Sequence, residues 1–549
     1  LYQFESRNSA ARHLCHVLCR DGLRKEHPHL KFSMMKRPQL IPASTLNRMI
    51  QAADESCKRG DFQQGIEILE RASRLVPANW QLRLQLGRAH GFNFDYAAAE
   101  RCFEQAVRIA PHKTEALATA GRLSIDFGRP QMAEDYFRRT LEQKDAAPDT
   151  IARLAELYEC LHRAKDAAAM VERALQLDNA CPLARLTQAK LHRQVGRLAE
   201  AEQVLRPILT AADRELRVRG FYELGGIYDR QGRYDEAMTA FLDAKALLLP
   251  DAPPLLAQSQ SIHNYLKEMQ NGVSAEILQR WFDSGRELLQ PPHRLAFLGG
   301  NARSGTTLLE QVLDSHPDIV SAEETTIFLD KAYHPLIRRM PPGAPMLAAL
   351  DAALVESLRQ VRERYFHSME SFLGNPVGHH LLIDKNPSIQ ALIIAFVRIF
   401  PEIKLIVALR DPRDVVLSCF MQPHWPTSTG NVTLLNLEAT VRTYTRVMGI
   451  WRTLQPLIKN PFLEVRYEDM VDDLESVARR TLDFLGVPWD ARVLAFDEHA
   501  RKKLLRSPTY ADVTQKVYKR ARGRWHNYRK YLEPHLQKLE PLVKAFGYG

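Results

Sequence analysis

Residues 294–328 read RLAFLGGNARSGTTLLEQVLDSHPDIVSAEETTIF. Leu295 to Leu298 is a short apolar run, long enough for a buried parallel strand. A loop with three glycines follows, Gly299-Gly300-Asn301-Ala302-Arg303-Ser304-Gly305, and then an apolar helical pattern at Leu308, Leu309, Val312 and Leu313. Strand, loop and helix in that order aim backbone N–H groups and the positive end of a helix dipole at an anion. From Gly300 through Gly305 the loop nearly spells the nucleotide-binding pattern GxxxxGK[ST], but Thr306 stands where the lysine should be. The missing lysine argues against ATP or GTP hydrolysis. A smaller anionic group fits better, with Arg303 supplying the positive charge.

Upstream of this stretch the chain repeats itself. A pair of positions carrying a small residue recurs as Ala52-Ala53, Leu86-Gly87, Ala120-Gly121, Leu154-Ala155, Gln188-Ala189 and Leu224-Gly225, at steps of 34, 34, 34, 34 and 36 residues. Twelve positions on stand Gly65, Ala99, Ala133, Ala167, Ala201 and Ala237, and four further Leu69, Phe103, Phe137, Val171, Leu205 and Phe241. Small residues let two antiparallel helices approach, and the large ones fill the next groove. A 34-residue step is the tetratricopeptide period, so six repeats are predicted over residues 46–250. A tail at 1–45 precedes them, and a helical linker at 251–290 ends at Gln290-Pro291-Pro292.

Downstream, residues 291–549 read as an α/β domain with a parallel sheet. Helices are predicted over 329–375, broken at Pro341-Pro342-Gly343. A second apolar strand, Leu381 to Ile383, places Lys385 just beyond its end, where open α/β sheets put ligands. A third, Lys404 to Leu409, runs into Arg410-Asp411-Pro412-Arg413-Asp414 and a helix carrying Ser418. An arginine paired with Asp411 or Asp414 in a helix cap is the structural alternative there.

Two of these segments carry a family resemblance. RSGTTLL at 303–309 and EET at 323–325 resemble the 5′-phosphosulfate loop and catalytic carboxylate of sulfotransferases, most closely tyrosylprotein sulfotransferases and bacterial relatives with tetratricopeptide repeats. The resemblance implies the donor 3′-phosphoadenosine-5′-phosphosulfate (PAPS), leaving 3′,5′-adenosine bisphosphate, with no metal. It implies that Arg303, Ser304, Gly305, Thr306, Thr307 and Leu308 hold the phosphosulfate end and that Arg410 and Ser418 hold the 3′-phosphate. Glu324 would be the base, with Glu323 orienting the turn, and Lys385 would stabilise the transferring sulfuryl group. Tyr467 is the candidate adenosine contact. Lys519, Arg520 and Arg522, beside Gly523 and Trp525, are alternative partners of the 3′-phosphate, and Thr509 and Tyr510 lie near an orienting serine of the family. Two family arginine or lysine positions hold Thr326 and Gln422 instead, a departure that bears on the acceptor more than on the donor.

The composition is that of a globular protein: 549 residues, 45% hydrophobic and 26% charged. No run of 18 apolar residues is present, and the first 40 residues lack a signal-like apolar core, so a soluble cytoplasmic protein with no membrane association is expected. The chain begins at Leu1, with Met34 and Met35 as alternative starts. Seven cysteines, among them Cys15 and Cys19, fit reduced thiols better than a disulfide framework. The net charge of +10 includes eleven Lys/Arg against one acid between Arg501 and Lys530. That cluster suits an anionic donor and an acidic acceptor better than nucleic acid, for which no motif is present. The expected acceptor is a protein tyrosine recruited by the repeats, with a sugar or small-molecule hydroxyl, or an inactive scaffold, as alternatives. A homodimer is compatible with all three.

Overall fold

The computed structural model describes residues 42–338, 345–426, 428–501 and 513–549. Cys15, Cys19, Met34, Met35, Pro341-Pro342-Gly343, Thr509 and Tyr510 lie outside the described residues, as do the basic positions Lys502, Lys503 and Arg506.

The chain divides into two compact units. Among the described residues, the first contains 42–158 and 165–184. Its helices come in pairs: α1 (Ala43–Lys58) with α2 (Phe62–Leu75), α3 (Trp80–Phe92) with α4 (Tyr96–Ile109), and α5 (Lys113–Asp126) with α6 (Pro130–Leu141). Asp61, Asn79 and Asp95 stand immediately before α2, α3 and α4, and each side chain accepts from a backbone N–H three residues on. The small column does what its spacing predicts. A Cβ on Gly87 would lie 2.5 Å from the Phe103 ring, and one on Gly121 would lie 2.7 Å from Phe137. Both rings and the alanines Ala99, Ala106 and Ala133 are fully buried, so each phenylalanine fills the gap its paired glycine leaves.

The second unit holds the described residues of 159–164 and 185–549. It therefore includes the end of α7 (Pro182–Gln194), all of α8 (Leu198–Leu205), α9 (Arg214–Arg230) and α10 (Tyr234–Leu248), which form the last repeats. Gly225 again meets a phenylalanine, Phe241, at 2.5 Å. The helical segment after the repeats is α11 (Pro253–Gly272) and α12 (Ala275–Leu288). A five-stranded parallel sheet follows, ordered β2-β3-β1-β4-β5. Its strands are β1 (Leu295–Gly300), β2 (Ile319–Glu323), β3 (Leu381–Lys385), β4 (Lys404–Leu409) and β5 (Phe462–Arg466). Strands β1 and β3 are buried along their whole length, which is why they read as unbroken apolar runs rather than alternating ones.

Helix α13 (Thr306–Asp314) follows β1, and its Leu309, Val312 and Leu313 pack with Leu298, Ile383 and Ile406 of the sheet. The chain builds outward from β1 to β2 and β3 on one side and to β4 and β5 on the other. The carboxyl end of β1 is thus a topological switch point, where doubly wound sheets open a crevice. Two departures from the sequence reading matter here. β1 runs on to Gly300, and Lys385 is the last residue of β3, not a turn residue beyond it. No helix among the described residues is long and apolar enough to cross a membrane.

Candidate active site

The loop after β1 is bent by three residues with positive φ: Gly300 (115°), Arg303 (72°) and Gly305 (91°). Two of these must be glycine. A Cβ on Gly300 would stand 2.3 Å from the Ala408 carbonyl oxygen of β4, and one on Gly305 would stand 2.7 Å from the Tyr467 ring. Arg303 is the costlier member, since a non-glycine residue in this region carries about 1–2 kcal/mol of strain. Gly305 is the N-cap of α13 and provides no capping side chain, so the first N–H groups of the helix open toward the loop.

The arginines are tied together across this loop. Arg303 Nε donates to Ser418 Oγ at 3.1 Å, from the helix α14 (Pro412–Phe420) that follows β4. Arg410, at the end of β4, donates through one Nη to the Arg303 carbonyl at 3.1 Å and through the other to the Ala521 carbonyl. Its guanidinium lies 4.8 Å from the Tyr467 ring centroid, and its buried Nε has no hydrogen-bond partner. Asp411 belongs to Arg413 at 2.7 Å, not to Arg410. Asp414 approaches Arg410 at 3.8 Å, while its carboxylate accepts from the Gly523 and Trp525 N–H groups at 2.7 and 2.8 Å. Asp414 thereby fixes the basic glycine loop against the end of β4.

Adjacent strand ends assemble the second part. β2 and β3 pair so that Glu323 faces Lys385 in register, and Glu324 N–H donates to the Lys385 carbonyl at 2.8 Å. Glu324 has φ 45°, a second strained non-glycine residue at the same site. The fully buried Lys385 Nζ lies 2.9 Å from Glu324, 3.3 Å from Glu310 and 3.4 Å from Glu323. Burial alone would pull this lysine down, but Glu310, Glu324 and Glu323 more than offset it and hold the ammonium well above its usual range. Glu310, on α13, is pushed up to about 8 by burial, against the opposing pull of Lys385.

A cleft of about 730 Å³ opens over these groups. Of the residues singled out from sequence, Arg303, Gly305, Thr306, Thr307, Leu308, Glu324, Arg410, Ser418, Tyr467 and Arg520 line it. Ser304 is buried behind the loop and Lys385 beneath the carboxylates, so neither is on the wall. Lys519 and Arg522 are turned away, each paired with Asp472 at 2.6 and 2.8 Å, and Trp525 is buried against Arg413 at 4.3 Å. Among the three cations of that loop, tertiary packing brings Arg520 to the cleft. Thr326 is buried with its hydroxyl on Asp330 at 2.6 Å.

Sequence reasoning missed Glu310 and His424. Glu310 sits at helical spacing on a buried face, and a glutamate on an apolar face was the only signal for it. Half-buried His424 lines the cleft, its imidazole held below the usual range by desolvation and by the Lys245 and Arg303 charges. Also missed were the repeat residues on the same wall: Arg193, Gly196, Leu198, Gly226, Asp229, Arg230 and Tyr234.

Comparison with known proteins bears on both halves. Residues 296–491 match the sulfotransferase family, and residues 84–149 and 186–252 match the tetratricopeptide repeat. An uncharacterized protein of Aquifex aeolicus (strain VF5) is 24% identical over 357 residues, covering 63% of this chain and 44% of its own. Protein-tyrosine sulfotransferase 1 of Danio rerio is 27% identical over 216 residues, 37% of this chain and 56% of its own. The sulfotransferase domain of the Synechococcus PCC 7002 olefin synthase aligns over 43% of this chain and 88% of its own at 22% identity, with a TM-score of 0.32. The chain spans about half the length of the curated relatives it matches.

Proposed function

Because the chain carries a sulfotransferase-family domain behind tetratricopeptide repeats, we propose that it moves a sulfuryl group from PAPS to a tyrosine hydroxyl of a protein acceptor. The observation that carries this reading is the placement of Glu324, backed by buried Lys385, in one cleft with the Arg303 loop and Arg410.

The residues present fit a phosphosulfate nucleotide. The uncapped start of α13 offers backbone donors to an anion, and the glycine at 305 leaves room where a Cβ would strike Tyr467. Arg410 keeps a buried Nε without a partner, a donor whose burial is costly until an acceptor arrives. Arg303, Thr306, Thr307 and Leu308 would hold the phosphosulfate end, and Arg410, Ser418 and Arg520 the 3′-phosphate, with Tyr467 along the adenosine. When bound, PAPS supplies the activated sulfuryl group.

Glu324 then accepts the proton from the acceptor hydroxyl as that oxygen attacks. Lys385 was expected to touch the transferring group itself. Its buried ammonium on Glu324, Glu310 and Glu323 favours a positioning role first, orienting Glu324 and supplying positive charge beneath the site. Arg303, at the cleft wall, neutralises charge developing where the sulfuryl bond breaks. One observation favours the second reading, a sugar or small-molecule hydroxyl acceptor. Thr326, in place of a family arginine, spends its hydroxyl on Asp330 and brings no cation to an acidic acceptor.

Titration calorimetry with 3′,5′-adenosine bisphosphate, with ATP as control, tests the donor assignment. Binding of the bisphosphate alone, weakened by about 10–100-fold in Arg410→Ala, is expected. No bisphosphate binding by the folded chain would sink the sulfotransferase reading.

A further inference from the structure

The cleft is not walled by the α/β domain alone. Residues from the turns and helices of the last two repeats close it: Arg193, Leu198, Gly226, Asp229, Arg230 and Tyr234. They belong to the same compact unit as the sheet. Specific bonds fasten this wall. Asp229 accepts from Arg524 at 2.8 Å and from the Tyr528 hydroxyl at 2.6 Å, and the Tyr234 ring meets Tyr528 edge-on at 5.3 Å. A little further on, Lys530 pairs with Asp235 at 2.6 Å, and buried Lys245 donates to the Leu434 carbonyl at 2.6 Å.

Gly226 gives this wall its meaning. It lies inside helix α9, where glycine costs about 1 kcal/mol relative to alanine. Its neighbour Gly225 has a packing reason, the Phe241 ring at 2.5 Å. Gly226 has none: its φ is not in the left-handed region, and a Cβ there would meet nothing within 4 Å. The bare helix backbone faces the cleft, and glycine is the residue that permits close approach of a ligand to the main chain. Beside it on the same wall stands an exposed cation, Arg230. Arg230 donates to the Arg193 carbonyl at 3.1 Å, and Arg193 pairs with Glu223.

We propose that the last two repeats form the acceptor subsite of the active site, with Gly226 as the point of closest approach and Arg230 facing an acidic segment that flanks the acceptor hydroxyl. This rests on the sulfuryl-transfer reading and adds to it a specificity determinant outside the catalytic domain. The repeats then complete the active site directly, besides any recruitment along their groove.

The test uses the full chain and two fluorescent peptides, a tyrosine flanked by Asp and Glu and its Asn/Gln counterpart, read by anisotropy. Calorimetry with 3′,5′-adenosine bisphosphate runs in parallel on the same samples. The acidic peptide should bind the unaltered chain at least tenfold better than the neutral one. Arg230→Glu should remove that preference, and Gly226→Trp should weaken both peptides at least tenfold, while bisphosphate affinity stays within twofold. Gly226→Ala should raise Tm yet weaken the acidic peptide, which separates the effect from misfolding. No peptide binding, or equal binding by all variants, overturns the proposal. Loss of bisphosphate affinity in Gly226→Trp with peptide binding intact would assign the wall to the donor instead, and overturns it too. If peptide binding follows the expected pattern but the unaltered chain ignores the bisphosphate, the donor reading fails and the subsite stands.

Discussion

Two buried lysines of the second unit meet opposite fates. Lys385 is fully buried among three carboxylates and is held charged. Lys245, in the last repeat helix, is equally buried, but its neighbours are the Leu434 carbonyl and the rings of Phe420 and Tyr222 at 4.4 and 5.6 Å. Burial lowers it to about 7. Burial by itself disfavours an ammonium, and only local carboxylates reverse the sign. In the first case charge is retained where chemistry can use it; in the second a polar tether is made at a cost in stability.

The comparison breaks most visibly at Lys385. Lys385→Met leaves the carboxylates uncompensated, so denaturant unfolding should show a loss of about 3–5 kcal/mol. In the proposed reaction transfer should also fall by about 10²–10³-fold. Unchanged stability would mean that the carboxylates do not need the lysine. Glu324→Gln should spare the fold and reduce labelled-sulfate transfer by about 10²–10⁴-fold, without weakening bisphosphate binding. Full activity in that variant would remove Glu324 as the base.

Arg410→Ala is expected to weaken bisphosphate binding by about 10–100-fold, the worth of a charge-assisted hydrogen bond in a desolvated site. Lys519→Ala, an exposed pair with Asp472, should change it by no more than about twofold. Comparable losses would move the 3′-phosphate toward Lys519.

Lys245→Met should stabilise the chain by about 1–4 kcal/mol at pH 7. The sign follows from linkage. Between about 7 and 10.5 the unfolded chain holds more of this proton than the folded one, so stability rises with pH across that window. Below 7 both states are charged, and the burial cost is fully present. The variant should erase that rise, which thermal melts at pH 7 and 9.5 would read; a lower Tm at pH 7 would show the Leu434 bond outweighing the burial. Smallest of all, Glu310→Gln should change stability in denaturant unfolding by no more than about 1 kcal/mol, because the amide sheds the burial penalty that pushes this carboxyl up while Lys385 keeps Glu324 and Glu323 as partners.

Much of this was legible locally. A strand–glycine–helix order, a 34-residue period and a glycine paired with a phenylalanine sixteen residues on are short-range facts, and the chain states them directly. Arg303, Glu324, Arg410 and Ser418 were found because the short segments that carry them resemble a family's motifs, and the first three also lie within a few residues of a strand end. Glu310 and His424 were missed because their meaning comes from what packs over them. Lys385 was found but misplaced: it is the last residue of β3, under the carboxylates, and not a residue just beyond the strand end.

By itself, then, the sequence determined the two architectures and the end of the sheet at which the candidate site lies, because period, spacing and loop chemistry act through neighbours along the chain. Only the tertiary structure decided which of three loop cations reaches the cleft, which lysine keeps its charge, and that repeat residues such as Gly226 and Arg230 wall the site. Those outcomes depend on desolvation and on contacts between residues up to nearly 300 positions apart, such as Asp229 with Tyr528, and no local pattern encodes them.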